Sequence, residues 1–219
     1  MPSFALISEG ITDQVVIESI LDSFYKGEVD DLSVAYIQPT RDATDVSRQD
    51  REDFGGWEQV LEHCSIAEHM YEALALNDYI IIQIDSDICW HPAIKIDPGL
   101  QWNELVEAIQ NLILSRIDPA IIASHQEQLI FAIAIHSTEC WLIPLYTKVL
   151  GELNRVNDCE GLLGCIIRRN NGVFKKEYRI FKDLVRPLRK KKNLLAALSS
   201  SPSLNNFVSK LPVVKDESA

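Results

Sequence analysis

The sequence predicts an α/β fold: a mostly parallel central sheet flanked by helices, with a helical, basic C-terminal extension. Three observations predict it. Short apolar runs alternate with longer stretches of helical periodicity. The runs are continuously apolar rather than alternating, as in strands buried on both faces. Acidic residues recur just after these runs, at the strand ends where open parallel sheets bind ligands.

Taken in order, residues 4–8 form a short buried strand, broken by Glu9-Gly10. Thr12 is the expected N-cap of a helix over 13–25, whose apolar stripe is Val16, Ile17, Ile20, Leu21 and Phe24. A second strand covers 32–37. Residues 40–56 are polar, charged and end in Gly-Gly, the composition of a mobile loop. A helix over 57–76 follows. The clearest strand covers 79–84 and stops abruptly at Asp85-Ser86-Asp87. A helix over 102–123 is interrupted near Pro119, and 129–135 is the fourth strand. A helix from Glu139 to Leu150 is kinked by Pro144, with Gly151 as its stop. The remainder is helical, with loops near 170–172 and 199–203. The expected organisation is a catalytic domain over 1–152, a helical basic extension packed on it over 153–212, and a disordered tail over 213–219.

Composition narrows the setting. Apolar residues make up 47% of the 219-residue chain, enough for a real core. The longest apolar candidate, around 129–135, is soon broken by His136 and Glu139, so no bilayer span is expected. The N-terminus lacks a basic n-region and a small-residue cleavage site. Five cysteines, an odd number without CxxC pairs, predict free thiols and a cytoplasmic location. His63, Cys64 and His69 lack a second half for a structural zinc site.

The net charge of −11 is unevenly spread. Residues 168–192 hold eleven Lys/Arg against Glu177 and Asp183, a local +9 that leaves −20 for the rest. Phe174, Tyr178 and Phe181 interleave with these charges. The segment is therefore read as a nucleic-acid-binding surface, with Arg168, Arg169, Lys175, Lys176, Arg179 and Lys182 as its contacts; a solvated helix face is the plain alternative.

The acids are the chemical signal. Glu9 follows the first strand, Asp85 and Asp87 follow the third, and Glu139 follows the fourth. In a parallel sheet they gather at one edge. Asp85 and Asp87 are spaced to point the same way, and two carboxylates so close repel unless a cation lies between them. Asp13 lies four residues after Glu9, and Gly10 is expected to let the backbone bend between them. An all-oxygen donor set suits Mg²⁺ or Mn²⁺. Two ions are expected, one on Asp85 and Asp87, the other on Glu9, Asp13 and Glu139. Singly, Asp13 and Glu139 also read as first-turn helix acids, and Asp85-x-Asp87 as a turn. Trp57, Trp90, Trp102 and Trp141 read as packing residues. His136 and His91 read as structural histidines close to the acids.

Glu9-Gly10-Ile11-Thr12-Asp13 after a strand resembles the first Toprim motif. The run from Ile80 to Asp87 resembles the second, a strand followed by DxD. Glu139-Cys140-Trp141-Leu142 resembles the E-x-W-L segment of a small Toprim-like nuclease branch associated with bacterial ABC-type ATPases in anti-phage defence, related to the overcoming-lysogenisation-defect nucleases. The resemblance covers residues 3–150. It implies a Mg²⁺-dependent nuclease acting on DNA or RNA. Glu9 would be general acid/base or metal ligand, Asp85 and Asp87 would hold Mg²⁺, and Asp13 would help bind a second ion. A late lysine, with Lys175, Lys176 and Lys182 as candidates, would stabilise the transition state. No GxxxxGK[ST] motif is present, so ATP would act through a separate ABC-type ATPase subunit. Self-association is left open. Two competing readings are a non-catalytic regulatory or scaffold subunit and a small-molecule phosphohydrolase.

Overall fold

The structure is a computed structural model that describes residues 2–28, 32–40, 56–153 and 157–214. Four strands, β1 (Ser3–Ile7), β2 (Ser33–Gln38), β3 (Tyr79–Asp85) and β4 (Leu129–Ala134), form one sheet in the order β2-β1-β3-β4. All three pairings are parallel. In register, Leu6 lies beside Ile81, and Asp85 beside Ala134. The carboxyl ends of β1, β3 and β4 therefore share one edge.

The continuous apolar runs follow from burial on both faces. Phe4, Leu6, Ile81, Ile130 and Ala132 face one core. Ala5, Ile7, Ile80, Ile82, Phe131 and Ile133 face the other. Successive side chains alternate between faces, so each strand needs apolar residues at every position.

The helices divide between these cores. The second core is covered by α2 (Trp57–Ser65), α3 (Ala67–Leu76), α4 (Trp102–Leu114) and α5 (Pro119–His125). The first core holds α1 (Ile11–Phe24), α6 (Glu139–Tyr146), α8 (Cys159–Arg169), α9 (Tyr178–Leu184), α10 (Lys191–Ser200) and α11 (Pro202–Val208). The short α7 (Leu150–Leu153) lies between α6 and α8. The C-terminal helices thus form one continuous core with β1 and α1. Trp141, fully buried, stacks on Phe207 at 5.9 Å, and its indole N–H donates to Ser203 Oγ at 2.9 Å. Among the described residues, no helix is long and apolar enough to cross a membrane.

Several local expectations are corrected. Gly10, not Thr12, caps α1, which begins at Ile11. The helix expected over 57–76 is two helices, because Ile66 turns to φ −94°, ψ 102° between them. Gly151 does not stop α6: that helix ends at Tyr146, two residues past Pro144, where Thr147 turns to φ −141°, ψ 157°, and Gly151 lies inside α7. Not all cysteines are free. Cys140 of α6 and Cys159 of α8 form a disulfide, and Cys64, Cys89 and Cys165 remain thiols. The pair is 19 residues apart on adjacent helices, a spacing that carries no motif. The expected loop over 40–56, with Arg41, Arg48 and Arg51, lies almost wholly outside the described residues, as does the tail from 215 onward.

Candidate active site

Each acid owes its place to a strand end. Glu9 lies two residues beyond β1, and Asp13 is in the first turn of α1. Asp85 is the last residue of β3, and Asp87 sits in the 3-10 helix Ser86–Trp90 that follows. Glu139 opens α6, after β4. Asp13, Asp85 and Glu139 are buried, Glu9 is partly buried, and Asp87 is exposed.

A hydrogen-bond chain ties the ends of β1 and β3 together. The Asp85 amide N–H donates to Glu9 Oε1 at 2.6 Å. The Glu9 N–H donates to Gln83 Oε1 at 3.1 Å, and Gln83 Nε2 donates to Asp85 Oδ1 at 2.8 Å. Gln83, fully buried, is a positioning residue that the sequence did not flag. Its signal was there: one amide in an otherwise apolar strand needs buried partners. On the other side, Thr138 Oγ1 donates to Asp13 Oδ1 at 2.5 Å, joining α1 to the start of α6. Gly10 works differently from the expectation. Its φ of −149° is extended backbone open to any residue. A side chain there would put Cβ 3.1 Å from Asp13 Oδ2; glycine makes room for the carboxylate.

The electrostatics show that the five acids form one group. Burial raises the Asp85 carboxyl well above its usual range, and Asp13, Glu9, Glu139 and Asp87 all raise it further. Burial likewise lifts Glu9 to about 8, with Asp13 and Asp87 adding to it against the Asp85 N–H. Asp13 rises to about 6 through burial and the nearby Glu139. Asp87 is raised by burial, with His136 and Lys176 opposing. Without a counter-charge, Glu9, Asp13, Asp85 and Asp87 are held back from ionising together near neutrality.

Of the candidate lysines, Lys176 is the one brought to the acids. Its ammonium lies 3.1 Å from Glu139 Oε1 and 3.5 Å from Glu160 Oε2. Partial burial lowers its proton affinity, but Glu139, Asp13 and Glu160 outweigh this and raise it. Lys175 instead pairs with exposed Glu177, and Lys182 sits over the Tyr178 ring. Arg169 pairs with Glu152, while Arg168 and Arg179 are exposed. Apart from the Tyr178 ring under Lys182, the interleaved aromatics do not join this surface. Phe181 is fully buried, with Phe174 packed against it and Tyr178 partly buried on the same core.

His136 brackets Asp87 through its backbone. Its N–H donates to Ser86 Oγ at 2.7 Å, and its carbonyl accepts from the Asp87 N–H at 3.3 Å. It holds a φ of +64°, a region β-carbon sterics disfavour. Its ring Nε2 accepts from the Asp158 N–H at 3.1 Å. His91, by contrast, is exposed and packs on Trp57 at a ring separation of 5.1 Å.

The donor set fits a hard divalent cation. It is all carboxylate oxygen. Both Glu139 side-chain oxygens are buried without a hydrogen bond among the described residues, the Lys176 contact being an ion pair without hydrogen-bond alignment. The geometry is not preset, however: among the described residues no three His, Cys, Asp or Glu side chains already converge as metal ligands. Glu9, spent on the Asp85 N–H, is one reason.

The fold and site define a parallel α/β protein with an acidic cluster at the carboxyl end of its sheet. No family model, curated protein or solved structure matches the chain.

Proposed function

We propose that the protein is a Mg²⁺- or Mn²⁺-dependent nuclease of the Toprim type that hydrolyses phosphodiester bonds in DNA or RNA. One observation carries this reading. Five carboxylates from three strand ends act on one another electrostatically, with the Lys176 ammonium against the most buried of them. Asp85 and Asp87 would hold one ion, and Glu9, Asp13 and Glu139 a second. Bound there, the ions supply Lewis-acid polarisation of the phosphodiester and activation of water. Gln83 and Thr138 orient Asp85 and Asp13. Glu9, with a carboxyl lifted to about 8, is suited to move a proton near neutrality. Lys176 offsets charge developing on the phosphorus oxygens. Arg168, Arg169, Lys175, Arg179 and Lys182 supply sequence-independent attraction to the backbone.

In this reading the chain is the effector subunit of an anti-phage system and works in the cytoplasm with a separate ABC-type ATPase. The Cys140–Cys159 bond would then form in a compartment that reduces most disulfides.

The test is cleavage of plasmid, single-stranded DNA and RNA by wild type, Asp85→Ala and Glu9→Ala with Mg²⁺, Mn²⁺ or chelator. Metal-dependent cutting lost in both variants supports the reading. A second reading, a non-catalytic subunit that binds an ATPase or nucleic acid, is favoured by one observation: among the described residues no three ligands are already poised. It predicts no cutting by wild type with any metal, with or without the ATPase.

A further inference from the structure

The basic segment's aromatics point into the core, yet one large aromatic beside the acids does not. Trp90 is 73% exposed. It ends the 3-10 helix that begins immediately after Asp85 and contains Asp87. Its indole has no hydrogen-bond or ring partner among the described residues. This corrects its reading as a packing residue. A tryptophan left in water forgoes the burial that normally stabilises it, so its position calls for a ligand with a flat apolar face.

The next residue shows how this aromatic surface is built onto the site. His91 packs on Trp57 at 5.1 Å with the rings tilted by 56°. The Ala93 N–H donates to His91 Nδ1 at 3.3 Å, which fixes the ring's orientation. Trp57 opens α2, and the residue before it, Gly56, donates its N–H to the Glu9 carbonyl at 2.7 Å. The Trp57–His91 contact thus joins the chain beside Glu9 to the chain beyond Asp87. Trp90 immediately precedes His91 in the chain and lies three residues after Asp87.

We propose that Trp90, exposed beside the acid cluster, is a stacking platform for an unpaired nucleobase, so that the site acts on single-stranded nucleic acid or on bases drawn out of a duplex. This rests on the nuclease reading of the acid cluster and narrows its substrate. A base inside a duplex is already stacked on both faces and cannot use an exposed indole. Stacking of this kind tolerates any base, so the platform selects strandedness rather than sequence.

The test is binding of short labelled oligo-dT, oligo-U and a blunt duplex, in chelator, to wild type, Trp90→Ala and Trp90→Phe of the full chain. Urea unfolding serves as the folding control. Wild type is expected to prefer the single strands. Trp90→Ala should weaken single-strand binding by about 5- to 100-fold, leave duplex binding in place, and raise KM more than it lowers kcat in the Mg²⁺ assay. Trp90→Phe, which keeps a flat ring, should recover most of the affinity. The dT and U arms show which sugar the site accepts. Single-strand binding that is equal in wild type and Trp90→Ala would overturn the platform, and would point to a partner protein as the occupant of this surface. Absence of single-strand binding by wild type would overturn it too. The nuclease reading fails separately. If wild type cuts nothing with any metal while Trp90→Ala still loses binding, the platform stands and the cleavage chemistry falls. If both proteins cut and bind single strands alike, the reverse holds.

Discussion

Replacing Glu9 by Gln should stabilise the protein in the absence of divalent metal while abolishing the proposed cleavage. The carboxyl is lifted from an ordinary 4.5 to about 8, chiefly by burial and then by Asp13 and Asp87. Folding therefore strengthens proton binding at Glu9. Its contribution to stability is fully present below about pH 4.5 and is lost as pH rises through about 8. A tenfold difference in proton affinity corresponds to about 1.4 kcal/mol. About 3 kcal/mol would thus be lost between about pH 5 and pH 8 if Glu9 titrated alone, and about 2 kcal/mol after allowing for its partial exposure and shared field. Glutamine keeps an oxygen to accept the Asp85 N–H, now held at 2.6 Å, and removes the charge. Urea unfolding in chelator, at several pH values, measures the difference. Glu9→Gln should exceed wild type by about 2 kcal/mol near pH 8 and converge with it near pH 5. Its pH slope is reduced rather than abolished, because Asp13 and Asp85 remain raised. A variant that loses as much stability as wild type over this range, or is weaker near pH 8, would refute the electrostatic account of the cluster.

Mg²⁺ should raise the melting temperature of wild type more near pH 8 than near pH 6, since the raised carboxyls must shed protons to bind it, and Asp85→Asn should abolish the shift. Equal shifts at both pH values would argue against proton competition. Lys176→Met removes the cation beside buried Glu139 and should cost about 1–2 kcal/mol near pH 8, discounted because the lysine is about half exposed, together with cleavage; Lys175→Met, which touches only exposed Glu177, should cost under about 0.5 kcal/mol. Reduction of Cys140–Cys159, which spans 19 residues, should lower stability by about 3 kcal/mol, read as a shift in urea midpoint with dithiothreitol and mimicked by Cys140→Ser. A chain ending at residue 153 should fail to fold, because Phe207 and Ser203 are lost from Trp141 and half of the first core goes with them; cooperative unfolding of that fragment would show the C-terminal helices to be dispensable.

The sheet was legible because its central strands are apolar at nearly every position, and a parallel sheet covered on both faces requires that pattern. The acids were legible because parallel strands end on one side, so position in the chain becomes position in space. What could not be read were the partners that depend on tertiary contact. Gln83 looked like one polar interruption in a strand, and Thr138 like an ordinary helix-start residue; each turns out to hold a carboxylate. Three lysines were equivalent by motif, and only the packing of α8 and α9 brings Lys176 to Glu139. The aromatics misled in both directions. Phe174 and Phe181 sit among charges in the chain yet face the core: Phe181 because a helix turns neighbours apart by about 100°, and Phe174, in the loop before that helix, by packing against it. Trp90 sits in an apolar-looking stretch yet faces solvent.

The same packing explains how one residue of the basic segment, Lys176, reaches the acids. Glu139 opens α6 and Glu160 lies in the first turn of α8. Lys176, from the loop between α8 and α9, lies between them. The residues that hold this arrangement are direct neighbours of its charges: Cys140 follows Glu139, Cys159 precedes Glu160, and the two are bonded to each other. Thr138, just before Glu139, reaches across to Asp13 on α1. A cluster of buried carboxylates destabilises the fold that carries it, and here the surrounding structure offsets that cost from both sides of the chain. The N-terminal strands supply amides and a glutamine, and the C-terminal helices supply the ammonium and the cross-link. Removal of either half leaves like charges buried without a partner, which is why the site and the first core stand or fall together.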